Sequence, residues 1–251
     1  MTAETKKKLT KDSGILILLV GLTGAGKSHF INVLAGTQNT APEGDSLTPK
    51  TGEVGHYVVE APLGSGGGTP QKLILVDTPG FDGETSGGGD AAVLVNIFKW
   101  LTEHCDGIRL GGIIYFHPLT HDRGAVHYIK IKEANPGEVH ETSLMRYLRG
   151  FATRLGQNRL MLVTTKWESA TQWKEDFTKR HDRMSEVWKP LVDAGATIWR
   201  FPDNLGSAEL IIQNLVKQET LPLSRIQGPP SQESSTHKRA VDWSCGLLVN
   251  K

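Results

Sequence analysis

The chain has 251 residues and a formal net charge of +1, from 28 Lys and Arg against 27 Asp and Glu. This length accommodates one sizeable α/β domain and a tail, but not two domains of ordinary size. The near-neutral balance provides no overall basic field that would attract nucleic acid or an anionic membrane. With only Cys105 and Cys245, the chain has neither a disulfide framework nor the spacing of a zinc site, which favours a reducing, cytoplasmic location.

In chain order, the first predicted element is a strand over residues 15–20, which follows a lysine-rich stretch, residues 1–13, that we expect to be flexible. Lysines before an apolar run resemble a signal peptide, but this run is too short. No other stretch approaches the roughly 20 apolar residues of a transmembrane span. Three later runs are also apolar on consecutive residues, at 73–76, 112–116 and 160–163. Such runs are typical of strands buried on both faces of a parallel sheet.

Helical patterns lie between and after these strands. Apolar residues repeat at the spacing of one helix face over residues 94–101, 144–155 and 173–191, and a further helix is predicted over about residues 207–216. Asp90 is the expected N-cap of the first of these helices, and Gly36 is expected to end a helix that follows the first strand.

The order of strands and helices predicts the fold class. Residues 53–61 and 72–76 are predicted to form a strand pair, and residues 197–201 a weaker strand. Strands and helices alternate along residues 14–217, which predicts a doubly wound, mostly parallel α/β sheet with ligands at the carboxyl ends of the strands. Residues 218–251 are expected to be a disordered tail.

The strongest motif is GxxxxGK[ST], which Gly21, Gly26, Lys27 and Ser28 satisfy directly after a strand and before a helix. Glycines are needed there because backbone N–H groups must wrap closely around phosphate oxygens. Lys27 would bridge the β- and γ-phosphates, and the Ser28 hydroxyl would ligate Mg²⁺. The motif in this context predicts an α/β fold of the P-loop NTPase (G-domain) type.

A second motif follows the strand at residues 73–76, where Asp77 and Gly80 form a DxxG element. The Asp of this element is expected to hold Mg²⁺ through water, and the N–H of its Gly is expected to meet the γ-phosphate. A switch threonine is expected in the loop before the second strand, where Thr48 and Thr51 are both candidates and we favour Thr51. The glycine-rich residues 83–89 stand where a switch loop ordered by the γ-phosphate would lie.

The fourth apolar strand is followed by Thr164-Thr165-Lys166-Trp167-Glu168, an [NT]KxD element with Glu in the last place. A carboxylate in that place can accept hydrogen bonds from guanine N1–H and the exocyclic amine, a pairing that adenine cannot satisfy. Glu is one methylene longer than Asp, so Glu168 could instead be a solvated charge at the start of a loop. Guanine recognition by this segment is therefore a hypothesis.

Together these motifs resemble the septin-like branch of P-loop GTPases, which includes the immune-associated and chloroplast-import groups and stand-alone fungal G-domain proteins. The resemblance covers about residues 14–217 and rests on residues 21–28 with 30–32, 76–82, 112–117 and 162–167. It implies binding of GTP or GDP with Mg²⁺, slow hydrolysis and, in many members, nucleotide-dependent dimerisation through the G domains.

Phe81 stands directly after DxxG, where Ras-like enzymes place a Gln that orients the attacking water. Because the phenyl ring of Phe81 cannot orient water, hydrolysis is expected to be slow and to be accelerated by a partner. Residues His117, His121 and Arg123 are candidates for a group that reaches the phosphates of a neighbouring protomer, although ordinary loop polarity also explains them. Pro118 argues against a continuous helix that would align the two histidines as a metal pair.

The leading hypothesis is a GTP-dependent switch or assembly protein with weak GTPase activity. A nucleotide-binding module without hydrolysis and an ATP-using P-loop phosphotransferase are the alternatives. The predicted catalytic residues are Lys27 and Thr51, and the predicted Mg²⁺ ligands are Ser28, Thr51 and Asp77. The predicted nucleotide-binding residues are Gly21, Thr23, Gly24, Ala25, Gly26, Lys27, Ser28, His29, Gly80, Thr165, Lys166 and Glu168.

Overall fold

The structure is a computed structural model that describes residues 8–43, 53–61, 70–81, 89–120, 129–131, 139–141, 143–170 and 176–226. Its strands are β1 (Leu9–Thr10), β2 (Ile15–Gly21), β3 (Gly55–Ala61), β4 (Gln71–Asp77), β5 (Cys105–Asp106), β6 (Arg109–Pro118), β7 (Ile129–Ile131), β8 (Val139–Glu141), β9 (Leu160–Thr165), β10 (Thr197–Arg200) and β11 (Leu221–Pro222). Its α-helices are α1 (Lys27–Ala35), α2 (Gly89–His104), α3 (Ser143–Leu155), α4 (Phe177–Val187), α5 (Lys189–Asp193) and α6 (Leu205–Val216).

The central sheet has seven strands, with the order β10-β9-β6-β2-β4-β3 and with β11 paired to β6. Strands β4, β2, β6, β9 and β10 pair in parallel. Strand β3 is antiparallel to β4, with Gly55 opposite Asp77. The predicted α/β fold with a mostly parallel sheet is confirmed, and so is the predicted strand pair. Because parallel strands end at the same edge, the carboxyl ends of β2, β4 and β9 all lie along that edge, with β2 next to β4 and with β6 between β2 and β9.

Helices cover both faces of this sheet, and the alternation of side chains along β2 explains why. Leu16, Leu18 and Val20 belong to one buried cluster, which also contains side chains of α2, α3 and α4. Ile17 and Leu19 belong to a second cluster, which contains side chains of α1 and α6. Successive side chains on a strand point to opposite faces, so a run of consecutive apolar residues feeds two cores at once.

Described strands lie outside the predicted domain limits of residues 14 and 217, on both sides. Strand β1 lies within the stretch expected to be flexible, and it pairs in parallel with β5. In the predicted tail, β11 pairs antiparallel with the start of β6, and Ile226 is buried. Arg159 fixes this segment because its guanidinium donates to the backbone oxygens of Gly111, at 3.1 Å, and of Glu219. Residues beyond the predicted boundary at 217, as far as Ile226, therefore pack on the domain.

The helix predictions agree with the structure except in two details. Gly36 ends α1 with a left-handed backbone (φ 66°), as expected. Asp90 lies in the first turn of α2, which begins at Gly89, so it is not the N-cap. The single helix predicted over residues 173–191 is divided into α4 and α5 at Trp188. Pro190 in the first turn of α5 explains the division, because proline lacks the backbone N–H that would continue α4. Among the described residues, no helix has the length and apolar character to cross a membrane.

Candidate functional site

The turn between β2 and α1 forms an open cradle of backbone groups. Gly24 and Gly26 have φ angles of 72° and 90°, a left-handed region that residues with a side chain rarely adopt. A Cβ atom placed on either glycine would meet nothing within 4 Å. Helix α1 begins directly after Gly26, and the N–H groups of its first turn together with the helix dipole favour an anion. The cradle therefore has the shape and polarity that a phosphate group needs.

Lys27, the first residue of α1, is held over this cradle. Its side chain is buried, and its ammonium group donates hydrogen bonds to the backbone oxygens of Gly21, at 3.3 Å, and Leu22, at 3.0 Å. These two oxygens belong to the start of the same turn, so the loop itself fixes the position of the charge. A buried cation needs hydrogen-bond partners or an anion, and here it lies where an anion would enter.

Ser28 and Asp77 join the turn after β2 to the end of β4. The Ser28 hydroxyl donates to Asp77 Oδ2 at 2.6 Å, although the two residues are 49 positions apart. Burial raises the pKa of the Asp77 carboxyl, and the Ser28 hydrogen bond and the Lys27 charge oppose this rise. The other carboxyl oxygen, Asp77 Oδ1, is buried and has no hydrogen-bond partner within the described residues. A buried carboxylate with an unsatisfied oxygen beside a hydroxyl fits a hard divalent cation such as Mg²⁺.

The segment after β4 packs directly on the turn after β2. The backbone N–H of Phe81 donates to the Gly21 oxygen at 3.1 Å. A Cβ atom on Gly80 would lie 2.5 Å from the Thr23 nitrogen, so only glycine allows this approach. The Phe81 ring is buried in the hydrophobic core. Phe81 therefore anchors the segment and presents no polar group to the cradle, in agreement with the sequence-based interpretation.

Thr165 at the end of β9 is bound to the phosphate-binding turn. Its hydroxyl is buried and donates to the Ala25 backbone oxygen at 2.8 Å. This hydroxyl is thereby used to join β9 to the loop that contains Gly24 and Gly26. Thr165 therefore holds the loop, and its predicted role as a nucleotide contact stays a prediction.

The two residues after Thr165 in the predicted base-recognition element are more accessible. Lys166 is half-buried and has a left-handed backbone (φ 64°), which starts the short turn Trp167–Ser169. Glu168 lies in that turn and is exposed. The Trp167 indole N–H donates to the Thr164 oxygen at 3.0 Å and fixes the turn to the end of β9. The turn places Glu168 at the same edge of the sheet as the cradle, while its role stays a prediction.

His29 follows Ser28 in α1 and contacts two carboxylates that no motif indicated. Its Nδ1 atom lies 3.2 Å from both carboxyl oxygens of Glu43, and its Nε2 atom contacts Asp203 Oδ1. Partial burial disfavours the charged imidazole, but Asp203 and Glu43 outweigh this effect and raise the pKa of His29. Sequence reasoning missed both acids. Asp203 could have been suspected from its position just after β10, at the carboxyl edge of the sheet.

Comparison with known proteins agrees with this geometry. Residues 16–109 match the sequence model of the family described as 50S ribosome-binding GTPase. Among solved structures, the chloroplast translocon components atToc33 and psToc159 give a TM-score of 0.50 at 13% identity, over 82% of this chain and 82% of the other. The fold is that of a P-loop GTPase G domain. No curated protein matches the chain.

Two further G-domain structures resemble the chain. Toc33 from Arabidopsis thaliana in complex with GDP and Mg²⁺ has a TM-score of 0.48 at 13% identity, over 82% of this chain and 84% of the other. An Era variant from Aquifex aeolicus bound to GDP and AlF4⁻ has a TM-score of 0.47 at 18% identity, over 83% of this chain and 58% of the other.

Within the G domain, the structure brings together most of the predicted site residues but not all. Thr48, Thr51 and residues 82–88 lie outside the described residues. The same holds for His121 and Arg123. His117 is described and is buried at the end of β6, with its ring 5.8 Å from that of Trp188. In this position His117 is a core residue, and the hypothesis that it reaches a neighbouring protomer is not supported.

Proposed function

We propose that this chain is a Mg²⁺-dependent GTP-binding switch or assembly protein that hydrolyses GTP slowly. The observation that carries the proposal is the convergence of Lys27, Ser28 and Asp77 on the open cradle after β2. One cation, one hydroxyl and one buried carboxylate in this arrangement match what a nucleoside triphosphate and a divalent cation require.

Each residue has a defined task in this proposal. Backbone N–H groups of the cradle bind the phosphates, and the Lys27 ammonium neutralises charge on the β- and γ-phosphates. Ser28 ligates Mg²⁺, Asp77 holds it through water, and Thr51 completes the set when GTP is bound. The bound Mg²⁺ supplies positive charge that offsets the charge developing on the phosphates. Gly80 offers its N–H to the γ-phosphate.

The proposed hydrolysis is slow because the position directly after DxxG holds Phe81, whose side chain cannot orient water. Phe81 is buried in the core, and its N–H is used by the Gly21 oxygen. Catalysis of phosphoryl transfer depends on positioning and electrostatic stabilisation, so a missing water-orienting group leaves binding intact and lowers the rate. A partner molecule would raise the rate by supplying the missing group.

Guanine preference is the finer part of the proposal. Glu168 is proposed to accept hydrogen bonds from the base, and the stem of Lys166 is proposed to lie against it. Support comes from the location of both residues at the carboxyl end of β9, at the same edge as the cradle. The exposure of Glu168 also suits the alternative that it is a solvated charge, in which case the site would bind ATP as well as GTP.

We further propose membership of the septin-like branch, nucleotide-dependent dimerisation through the G domain, and a cytoplasmic location. The first rests on the motifs quoted above. For the second, the chloroplast translocon components are described as proteins for which dimerization is important for GTPase activity. For the third, the described cysteine, Cys105, is a free thiol, which suits a reducing compartment.

The proposal is tested by titrating the purified protein with fluorescent GTP, GDP and ATP analogues in Mg²⁺. We expect guanine nucleotides to bind at least about tenfold more tightly than ATP, which corresponds to about 1.4 kcal/mol. Lys27→Ala removes a charge-assisted contact worth about 1.5–3 kcal/mol and should weaken binding by roughly ten- to a hundredfold or more. Lys189→Ala, a change at an exposed lysine in α5 that pairs with Asp193, is the matched control and should bind normally.

Three outcomes would change the conclusion. Equal binding of ATP would remove guanine preference and favour the phosphotransferase alternative. Binding without conversion of GTP to GDP in a single-turnover experiment would favour a nucleotide-binding module. Failure of the wild-type protein to bind any nucleotide would overturn the proposed function.

A further inference from the structure

The side chain of His29 connects three parts of the G domain that are far apart in sequence. The imidazole lies on the first turns of α1, next to Ser28. One ring nitrogen contacts Glu43, 14 positions later, and the other contacts Asp203, 174 positions later. The imidazole is rigid and carries polar atoms on opposite edges, so one side chain can hold two loops at a fixed separation. No element of the phosphate-binding motif requires a histidine at this position.

A second residue of α1 strengthens the connection on the Glu43 side. Asn32 is buried, donates to the Ala41 oxygen at 2.9 Å and accepts from the Ala41 N–H at 2.7 Å. Its amide nitrogen also donates to Glu43 Oε1. The segment after α1 is thus held against this helix by two side chains, with Glu43 shared between them. The chain continues from Glu43 toward Thr51, the proposed Mg²⁺-contacting threonine.

The Asp203 side lies where the nucleotide base is proposed to bind. Strand β10 pairs with β9, with Arg200 opposite Thr164, so the loop after β10 is next to the turn that contains Lys166 and Glu168. Asp203 has a left-handed backbone (φ 56°), and the His29 ring lies 6.4 Å from that of Phe201 in the same loop. His29 therefore links the phosphate-binding helix to the base side of the site.

We propose that His29 is a positioning residue that holds the segment at Glu43 and the loop after β10 together beside bound nucleotide, and so slows nucleotide release. This inference rests on the proposed nucleotide binding. Because His29 makes both contacts, its loss should break the link between these two sides of the site, while Asn32 still holds Glu43 to α1. A nucleotide held by the cradle alone would then leave through the side opened between these loops.

The test is the dissociation rate of a fluorescent GDP analogue, measured by stopped flow with excess unlabelled GDP in Mg²⁺. We expect His29→Ala to raise this rate by roughly five- to thirtyfold, which corresponds to about 1–2 kcal/mol, because two contacts are lost. Glu43→Ala and Asp203→Ala should each raise it less. In the double variant of His29 and Glu43, the increase should be smaller than the two single effects combined, since both changes remove the same contact and residues of one network are not additive. His29→Gln should restore part of the slow release.

The matched control is His104→Ala in α2, where the ring stacks on Trp100 and lies away from the cradle. This change can lower thermal stability, but it should leave the dissociation rate within twofold. If wild-type protein binds nucleotide and His29→Ala releases it at the wild-type rate, the inference is overturned while the proposed function stands. Additive effects of His29 and Glu43 would also overturn it. Should His29→Ala not fold, the rates of Glu43→Gln and Asp203→Asn decide the question in the same way.

Discussion

The cradle after β2 and the turn after β9 meet at one edge of the sheet, yet they depend on different contacts. Around the cradle, the decisive groups are backbone atoms and buried side chains such as Lys27 and Asp77. Around the turn, Glu168 is exposed, and the neighbouring loops are held by His29 bonded to two accessible carboxylates. We call the cradle after β2 the phosphate side of the site, and the turn after β9 with the neighbouring loops the base side. The phosphate side is fixed by packing, whereas the base side is fixed by side-chain contacts that water can replace.

This difference predicts that the phosphate side and the base side tolerate substitutions differently. The buried contact between Gly80 and Thr23 beside the cradle leaves no room for an added atom, and a buried group that loses its partner there finds no water to replace it. Exposed ion pairs contribute little to stability, so the base side can vary without unfolding the protein. We expect mutations on the phosphate side to affect folding and binding together, and those on the base side to affect mainly binding.

The largest effect is expected from Gly80→Ala. The new methyl group would lie 2.5 Å from the Thr23 nitrogen and 2.8 Å from its Cα, and backbone atoms cannot move aside as a flexible side chain can. Overpacking of this kind costs about 1–3 kcal/mol. Unfolding by urea should show this loss of stability, and GTP affinity should fall with it.

The matched control is Gly150→Ala in α3, where the added methyl group meets only the Arg154 guanidinium, at 3.4 Å. Alanine is favoured over glycine inside a helix by about 1 kcal/mol, so this variant should be as stable as the wild type or more so. Equal effects of the two substitutions would show that the segment after β4 is not packed on the cradle as described.

The sequence was sufficient to predict the sheet and the phosphate side, because both follow from local patterns. Consecutive apolar residues identified β2 and β9, and the spacing of Gly21, Lys27 and Ser28 identified the cradle. The contact between Ser28 and Asp77 follows from two motifs at the ends of neighbouring strands.

The base side was less predictable because its contacts join residues that no local pattern connects. Thr165 was expected to face the nucleotide, but tertiary packing places its hydroxyl on the Ala25 oxygen. The bonds of His29 to Glu43 and Asp203 depend on where two loops come together, and nothing in either loop signals a partner. Strands β1 and β11 were missed for a related reason, since two-residue strands carry no periodicity.

Thr165→Val should have an intermediate effect and tests whether this residue belongs with the phosphate side. Valine keeps the shape of the side chain but leaves the Ala25 oxygen without its 2.8 Å partner. A buried acceptor left unsatisfied costs about 1–3 kcal/mol. Differential scanning calorimetry should show a lower Tm, and the affinity for GTP should fall because the loop is less well held.

Thr153→Val is the comparison for this substitution, since the exposed Thr153 hydroxyl donates to the Arg149 oxygen within α3. Water can replace that bond, so the loss should be less than about 0.5 kcal/mol. If Thr165→Val weakens GTP binding without lowering Tm, Thr165 contacts the nucleotide directly, as the sequence suggested.

The smallest effect is expected from the pH dependence of His181, in α4 behind the base side. Burial and the nearby Arg200 charge lower the pKa of His181 below 6.5, and its ring nitrogen bonds to the Thr164 hydroxyl at 3.0 Å. The unfolded chain therefore takes up a proton at a higher pH than the folded protein does. The stability contributed by neutral His181 is present above pH 6.5 and is lost as pH falls from 6.5 through the lowered folded-state pKa.

His181→Gln keeps a hydrogen-bonding group near Thr164 but cannot titrate, so it should reduce the fall in Tm that the wild type shows as pH drops below about 6.5. Thermal unfolding of both proteins across about pH 5 to 8 makes the comparison, because groups other than His181 contribute equally to the two profiles. The His181 ring packs against that of Trp167, at 5.4 Å between ring centroids. If GTP affinity falls more at low pH for the wild type than for His181→Gln, protonation of His181 weakens nucleotide binding through the base side. Identical profiles for the two proteins would instead mean that His181 titrates in the folded state as it does in the unfolded chain, and that the end of β9 is more open to water than its burial indicates.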